Sequence, residues 1–119
     1  MKQSVRLAVA SNDGIAINQH FGHAREFWIY TATLPHCTLL EKRVVEHYCH
    51  GHHGSQSAMQ KILATIGDCD AVFCAMIGDG PREKLEAIGL QSVVDYAYEA
   101  IEPSLLDYAH SVLIDEPRN

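Results

Sequence analysis

The sequence predicts an α/β domain: a mixed sheet of about five strands with helices flanking it. Three observations carry that expectation. Val5 to Ala10 and Ala71 to Ile77 are nearly unbroken apolar runs, the pattern of strands buried on both faces. Phe27 to Ala32 is rich in aromatic and β-branched residues, and Cys37 to His47 alternates in part between apolar and charged positions. Beyond residue 54, helical and strand-like segments alternate, the order of βαβ units and a parallel sheet.

Each element follows from its own residues. Val5-Arg6-Leu7-Ala8-Val9-Ala10 is a buried strand, and Ser11-Asn12-Asp13-Gly14 after it is a turn signal. Ile15-Ala16-Ile17 leads into Asn18-Gln19-His20-Phe21-Gly22-His23-Ala24-Arg25-Glu26, which connects to the strand from Phe27. Pro35 sits in the next connection. The strand from Cys37 carries Leu39, Leu40, Val44 and Val45 among Glu41, Lys42, Arg43 and Glu46, so it reads as antiparallel, with one wet face near a sheet edge. Ser55 or Ser57 caps a helix running to about Ile66, where Ala58, Met59, Ile62, Leu63 and Ile66 recur at helical spacing. Gly67 reads as its stop. Ala71 to Ile77 is the central parallel strand. Gly78-Asp79-Gly80-Pro81 opens a short helix with Pro81 near its first position and Gly89 past its end. Leu90 to Val94 is a last strand. Ile101 to about Ser111 is a last helix with Pro103 in its first turn. Residues 115–119 read as a frayed tail.

The chain has 119 residues, which suits one domain spanning 1–119. With 47% apolar and 20% charged residues, it needs neither disulfides nor a structural metal to fold. A net charge of −6 with only nine Lys and Arg disfavours nucleic acid or an anionic membrane as partner. The first residues lack the apolar region of a signal peptide, and no run reaches membrane-spanning length. The expected location is therefore cytoplasmic, where the four cysteines stay reduced. Cys37, Cys69 and Cys74 lie in or beside strand-like runs and read as small core hydrophobes. Cys49 has polar neighbours and reads differently.

Two stretches stand out chemically. His20 and His23 bracket Phe21 and Gly22; imidazole is a common metal ligand, Phe21 lends a partly apolar setting, and Gly22 lets a bound object approach the backbone. Cys49-His50-Gly51-His52-His53 packs four soft or borderline ligands into five residues, suited to zinc, copper or iron–sulfur species. Its spacing matches no standard zinc module, and a solvated His-rich loop is the alternative. Gly78 and Gly80 join a strand to a helix N-terminus, where free N–H groups favour an anion; a plain tight turn explains them equally well. Asp13, Asp70, Asp79 and Asp95 fall near strand ends as a conceivable Mg²⁺ set of a nuclease, against which the acidic balance argues. No Gly-x-Ser-x-Gly setting supports a serine nucleophile.

Ala8 to Gly14, Asn18 to Phe27, Asp68-Cys69-Asp70-Ala71-Val72, Ile77 to Pro81, Leu85, Gly89 and Ile101-Glu102 together resemble the dinitrogenase iron–molybdenum cofactor biosynthesis family. That family includes NifX-like proteins and the C-terminal domain of NifB. The resemblance covers nearly the whole chain, and its His-Phe-Gly-x-Ala-x-x-Phe part is the more specific. It implies an RNase H-like fold. It also implies binding or carrying of an iron–sulfur cluster or an iron–molybdenum cofactor precursor, without turnover, with donor or acceptor proteins as partners. The family's cofactor-linked histidine maps onto His20. Met76 stands where many members have a basic residue, and the radical chemistry of full NifB proteins is not implied.

Two functions therefore compete at this level. One is a metallocluster carrier using His20, with Cys49, His50, His52 and His53 assisting; it predicts brown protein when isolated without air. The other is a small zinc-binding regulatory module or metal-dependent hydrolase, colourless and zinc-loaded or active on a phosphate ester.

Overall fold

The computed structural model describes residues 3–45 and 54–114. Its elements are β1 (Val5–Ala10), a 3-10 turn (Phe21–His23), β2 (Glu26–Thr33), β3 (His36–Val44), α1 (Gly54–Ile66), β4 (Ala71–Phe73), α2 (Asp79–Ala87), β5 (Gln91–Val93) and α3 (Ile101–Ile114). The strands form one sheet in the order β3-β2-β1-β4-β5. β1 pairs antiparallel with β2 and parallel with β4, while β4 pairs parallel with β5. This is the five-stranded mixed sheet flanked by helices that the sequence predicts.

The alternation along β1 explains the layering. Leu7 and Val9 point to one face and join Tyr30, Ala32, Ala71, Phe73, Val93 and the α3 residues Ile101, Leu105 and Ala109. Ala8 and Ala10 point to the other face and join Phe27, Ile29, Val72, Cys74, Ile62 and Ile66 of α1, and Leu85 of α2. A strand sandwiched between two such layers must be apolar throughout, and Leu7 to Ala10 are fully buried.

β3 is the edge strand, as its charges suggest. Both of its faces are wetter than the one-faced alternation implies: Leu39, Leu40 and Val44 are all exposed. A register irregularity between Ile29 and Tyr30, which pair with Glu41 and Leu39, leaves Leu40 out of the ladder. Arg43 ties this edge to α1, donating to Thr65 O and to Asp68 Oδ1, each at 2.7 Å.

Two helix ends differ from expectation. Pro81 occupies the third position of α2, whose N-cap is Gly78. Gly67 does not take the left-handed conformation of a helix-stopping glycine; its lack of a side chain matters because a Cβ would lie 2.6 Å from Leu63 O. Gly89, by contrast, ends α2 with φ of 80°. Pro103 falls in the first turn of α3, as its missing N–H requires. Residues 115–119 lie outside the described residues.

Candidate functional site

The end of β4 builds the site. The sequence predicts a strand through Ile77, but the regular ladder stops at Phe73. Cys74 N–H still donates to Val93 O at 3.1 Å. The chain then exchanges β5 for the segment before β2: Ala75 N–H donates to Gln19 O at 2.9 Å, and Phe21 N–H to Met76 O at 2.8 Å. His20 and Met76 form an isolated parallel bridge there. The residue before Ile77 and Gly78 is thus clamped beside the first histidine. This is the C-terminal end of the parallel strands β1 and β4, where open α/β sheets place their ligands.

Phe21 fixes the histidines from below. It is 1% exposed and meets Phe27 at a ring distance of 6.1 Å and a 53° tilt. The structure therefore assigns Phe21 to the core, not to the surface around the imidazoles. The 3-10 turn closes with His23 N–H donating to His20 O at 3.0 Å. A three-residue period brings His23 back over His20, and the two rings stack with centroids 5.6 Å apart and planes 11° from parallel. His20 is half-buried and His23 exposed. Gly22 lies between them on the surface, and a Cβ there would touch nothing within 4 Å.

The preceding turn is stiff. Asp13 Oδ1 accepts the N–H of Ile15 at 2.8 Å and of Ala16 at 3.1 Å, and the Ser11 hydroxyl donates to it at 3.1 Å. These bonds, the one from Ile15 foremost, hold the Asp13 carboxyl below its ordinary range. Gly14 sits at φ of 75° against Trp28, and a Cβ would come within 2.7 Å of the indole. Trp28 in turn donates to Ser11 O at 3.1 Å and lies under Lys42 Nζ, 5.0 Å from its ring centre. Asn18 and Asn12 hold each other through two bonds of 3.0 Å.

Asp13 is thereby a turn-holding residue. Among the described residues, no three His, Cys, Asp or Glu side chains converge as a ligand set. The carboxylates Asp13, Asp70, Asp79 and Asp95 do not form the conceivable Mg²⁺ site. Gly78 and Gly80 are exposed at the start of α2 with no side-chain cap on Gly78, and Asp79 already places a carboxylate in that first turn.

The cysteines separate by environment. Cys74 is fully buried, and burial pushes its thiol up to about 11; burial likewise pushes the Cys69 thiol up to about 12. Cys37 is half-buried, with its thiol also raised to about 11 by burial. Neutral thiols are poor ligands, so these three behave as packing residues. Cys49, His50, His52 and His53 lie outside the described residues. Val45, the last described residue before them, donates its N–H to Arg25 O at 2.8 Å.

A concavity that the sequence did not single out opens next to His23. Ser11, Asn12, Gln19, His23, Arg25 and Glu26 line about 320 Å³. Arg25 belongs to the distinctive stretch from Asn18, but only the fold brings Ser11 and Asn12, beyond the end of β1, against it.

Known proteins resemble this chain over nearly its whole length. Residues 3–111 match the family described as dinitrogenase iron-molybdenum cofactor. The FeMo cofactor biosynthesis protein NifB of Sinorhizobium fredii is 40% identical over 105 residues, covering 88% of this chain and 21% of that protein. The NifB of Frankia alni is 39% identical over 114 residues, covering 93% of this chain and 22% of its own length. The chain thus spans about a fifth of the curated relatives it matches. A crystal structure of a protein from Methanocaldococcus jannaschii superposes with a TM-score of 0.52 at 15% identity, covering 97% of this chain and 91% of that one. It supports the fold alone. With the family profile matching all but the two ends, and the motif stretch from Asn18 to Phe27 forming the clamped turn at the strand ends, the chain belongs to the dinitrogenase iron-molybdenum cofactor family.

Proposed function

We propose that this domain binds an iron–sulfur cluster or an iron–molybdenum cofactor precursor as cargo and passes it on without turnover. The pathway is nitrogenase cofactor assembly or a related metallocluster route in the cytoplasm, with donor and acceptor proteins as partners. The observation that carries the reading is the imidazole pair. Lone pairs on imidazole nitrogens lie in the ring plane. The planes of His20 and His23 are 11° from parallel with centroids 5.6 Å apart, and among the described residues no third His, Cys, Asp or Glu side chain joins the pair as a ligand set. A mononuclear tetrahedral site needs ligands that converge. A polynuclear cargo offers separate metal atoms to the two rings, which favours the cluster over a zinc ion.

The surroundings support the same reading. The exposed backbone at Gly22 leaves room for close approach, and the α2 N-terminus at Gly78 to Gly80 lies just past Met76, the bridge partner of His20. Cys49, His50, His52 and His53 complete the proposal as a second ligand group, since thiolate and imidazole both suit iron. The family's role in FeMo cofactor biosynthesis, named for its relatives, agrees with it.

The test is anaerobic reconstitution with iron and sulfide, followed by metal analysis and electron paramagnetic resonance. Wild type is expected to load a coloured cluster. His20→Ala is expected to keep the fold and lose most of the iron. Full iron retention in His20→Ala, or colourless wild-type protein holding zinc, refutes the assignment; the latter result restores the zinc-module alternative. Cys49→Ser is expected to load but to release its cluster faster to a chelator.

A further inference from the structure

Among the described residues, the concavity beside His23 is rich in donors and short of acceptors. Arg25 is exposed and, among the described residues, makes no ion pair and no side-chain hydrogen bond. Asn12 spends its Oδ1 on the Asn18 amide at 3.0 Å, which leaves its own NH₂ group to donate. Among the described residues, Gln19 is engaged only through its backbone, with N–H to Ala10 O and O from Ala75, so its side-chain amide is available. The one acid among the described lining residues, Glu26, is compensated by Lys42 Nζ at 3.6 Å. The Ser11 hydroxyl is consumed within its own turn by Asp13 and the N–H of Gly14. A guanidinium, two amides and the His23 ring therefore face a space of about 320 Å³. That volume lies at the small end of ligand sites. In a chain of net charge −6, a donor-rich hollow whose described acid is already paired runs against the overall field.

We propose that this hollow binds a small oxyanion, held by the Arg25 fork and the Asn12 and Gln19 amides. Carboxylate and phosphate share the required chemistry, because both present adjacent acceptor oxygens that a planar guanidinium grips in a bidentate fashion. The inference rests on the cluster reading for its meaning. An oxyanion here lies against His23, one of the two imidazoles assigned to the cargo, and so adds a second point of contact beside it.

The experiment titrates the metal-free 119-residue chain with malonate and, separately, with inorganic phosphate, at matched ionic strength. The readout is the ¹H–¹⁵N shift of the Arg25 Nε–H and the Gln19 amide. At least one anion is expected to saturate, and which one identifies the source. Arg25→Met is expected to weaken binding about tenfold or more, with Arg25→Lys between it and wild type, because a point charge replaces a fork. Arg82→Met removes another exposed cation outside the hollow and is expected to change nothing. His20→Ala is expected to bind the anion normally, which separates this site from cluster loading. Absence of saturation with both anions, unchanged affinity in Arg25→Met, or an equal loss in Arg82→Met overturns the inference. Saturable binding in a protein that loads no cluster supports the oxyanion site and refutes only the cluster reading.

Discussion

Shortening Phe21 tests whether the core, rather than local loop preference, holds the histidines in place. The ring is 1% exposed and packs on Phe27. A buried phenylalanine removes roughly 150 Å² or more from water, worth about 4 kcal/mol at about 25 cal/mol per Å². Truncation to alanine adds a cavity term, and measured core Phe→Ala changes fall at about 3–5 kcal/mol. A domain of this size is stable by about 5–15 kcal/mol, so Phe21→Ala is expected to remain folded near 25 °C with much of its margin gone. Phe21→Leu keeps an apolar group of similar reach and is expected to cost about 1–2 kcal/mol. Urea unfolding measures both. The local consequence is read separately by hydrogen exchange at the Phe21 amide, which donates to Met76 O at 2.8 Å and closes the bridge beside His20. In Phe21→Leu that amide is expected to exchange faster by more than the global destabilisation accounts for, with iron loading reduced in parallel. A loss below about 1 kcal/mol in Phe21→Ala would refute the anchoring role. So would exchange at this amide that tracks global unfolding alone.

Further outcomes follow from the same structure. Gly22→Ala places a methyl in open space, so stability should stay within about 0.5 kcal/mol of wild type while iron loading falls; unchanged loading means that no cargo approaches the backbone there. The Arg43 guanidinium, with Arg6 beside it, holds the Asp68 carboxyl well below its ordinary 3.8. Ionised Asp68 therefore stabilises the fold above that pH, and the contribution fades as pH falls through the acid range. Because the pair is partly solvated, Asp68→Asn should cost only about 1 kcal/mol at neutral pH and flatten the acid limb of a stability profile, checked by urea midpoints from pH 2 to 7. Cys69 and Cys74, with thiols raised to about 12 and about 11, should resist a thiol reagent at pH 8 until the protein unfolds. Stability should also decline as pH rises beyond 9.0, where the unfolded chain releases protons that the native thiols keep; rapid native labelling of Cys74, found by peptide mapping, contradicts its burial.

Sequence patterning by itself determined the layers. Unbroken apolar runs at Val5 to Ala10 and Ala71 onward require burial on both faces, and the helical spacing of Ile62 and Ile66 requires a face to pack on, so the sheet with flanking helices follows from burial alone. Charges on Glu41, Lys42 and Arg43 likewise mark β3 as the edge, because only an edge keeps them in water. The distinctive stretch around His20 was visible for its residue types, and so was the family it belongs to. What the sequence left undetermined is where β4 changes partner, because a continuous apolar run reads the same whether its N–H groups go to β5 or to Gln19. Only tertiary hydrogen bonding ended the strand at Phe73 and set Met76 beside His20. The same holds for Phe21, whose local neighbours suggest a ligand wall and whose side chain the core claims. It holds again for the hollow beside His23: Asn12 and Arg25 are thirteen positions apart, and their meeting depends on the antiparallel pairing of β1 with β2, which sets Ala10 opposite Phe27. Residue type declares which groups can do chemistry, whereas convergence is a property of register, and register is decided by packing between strands distant in the chain.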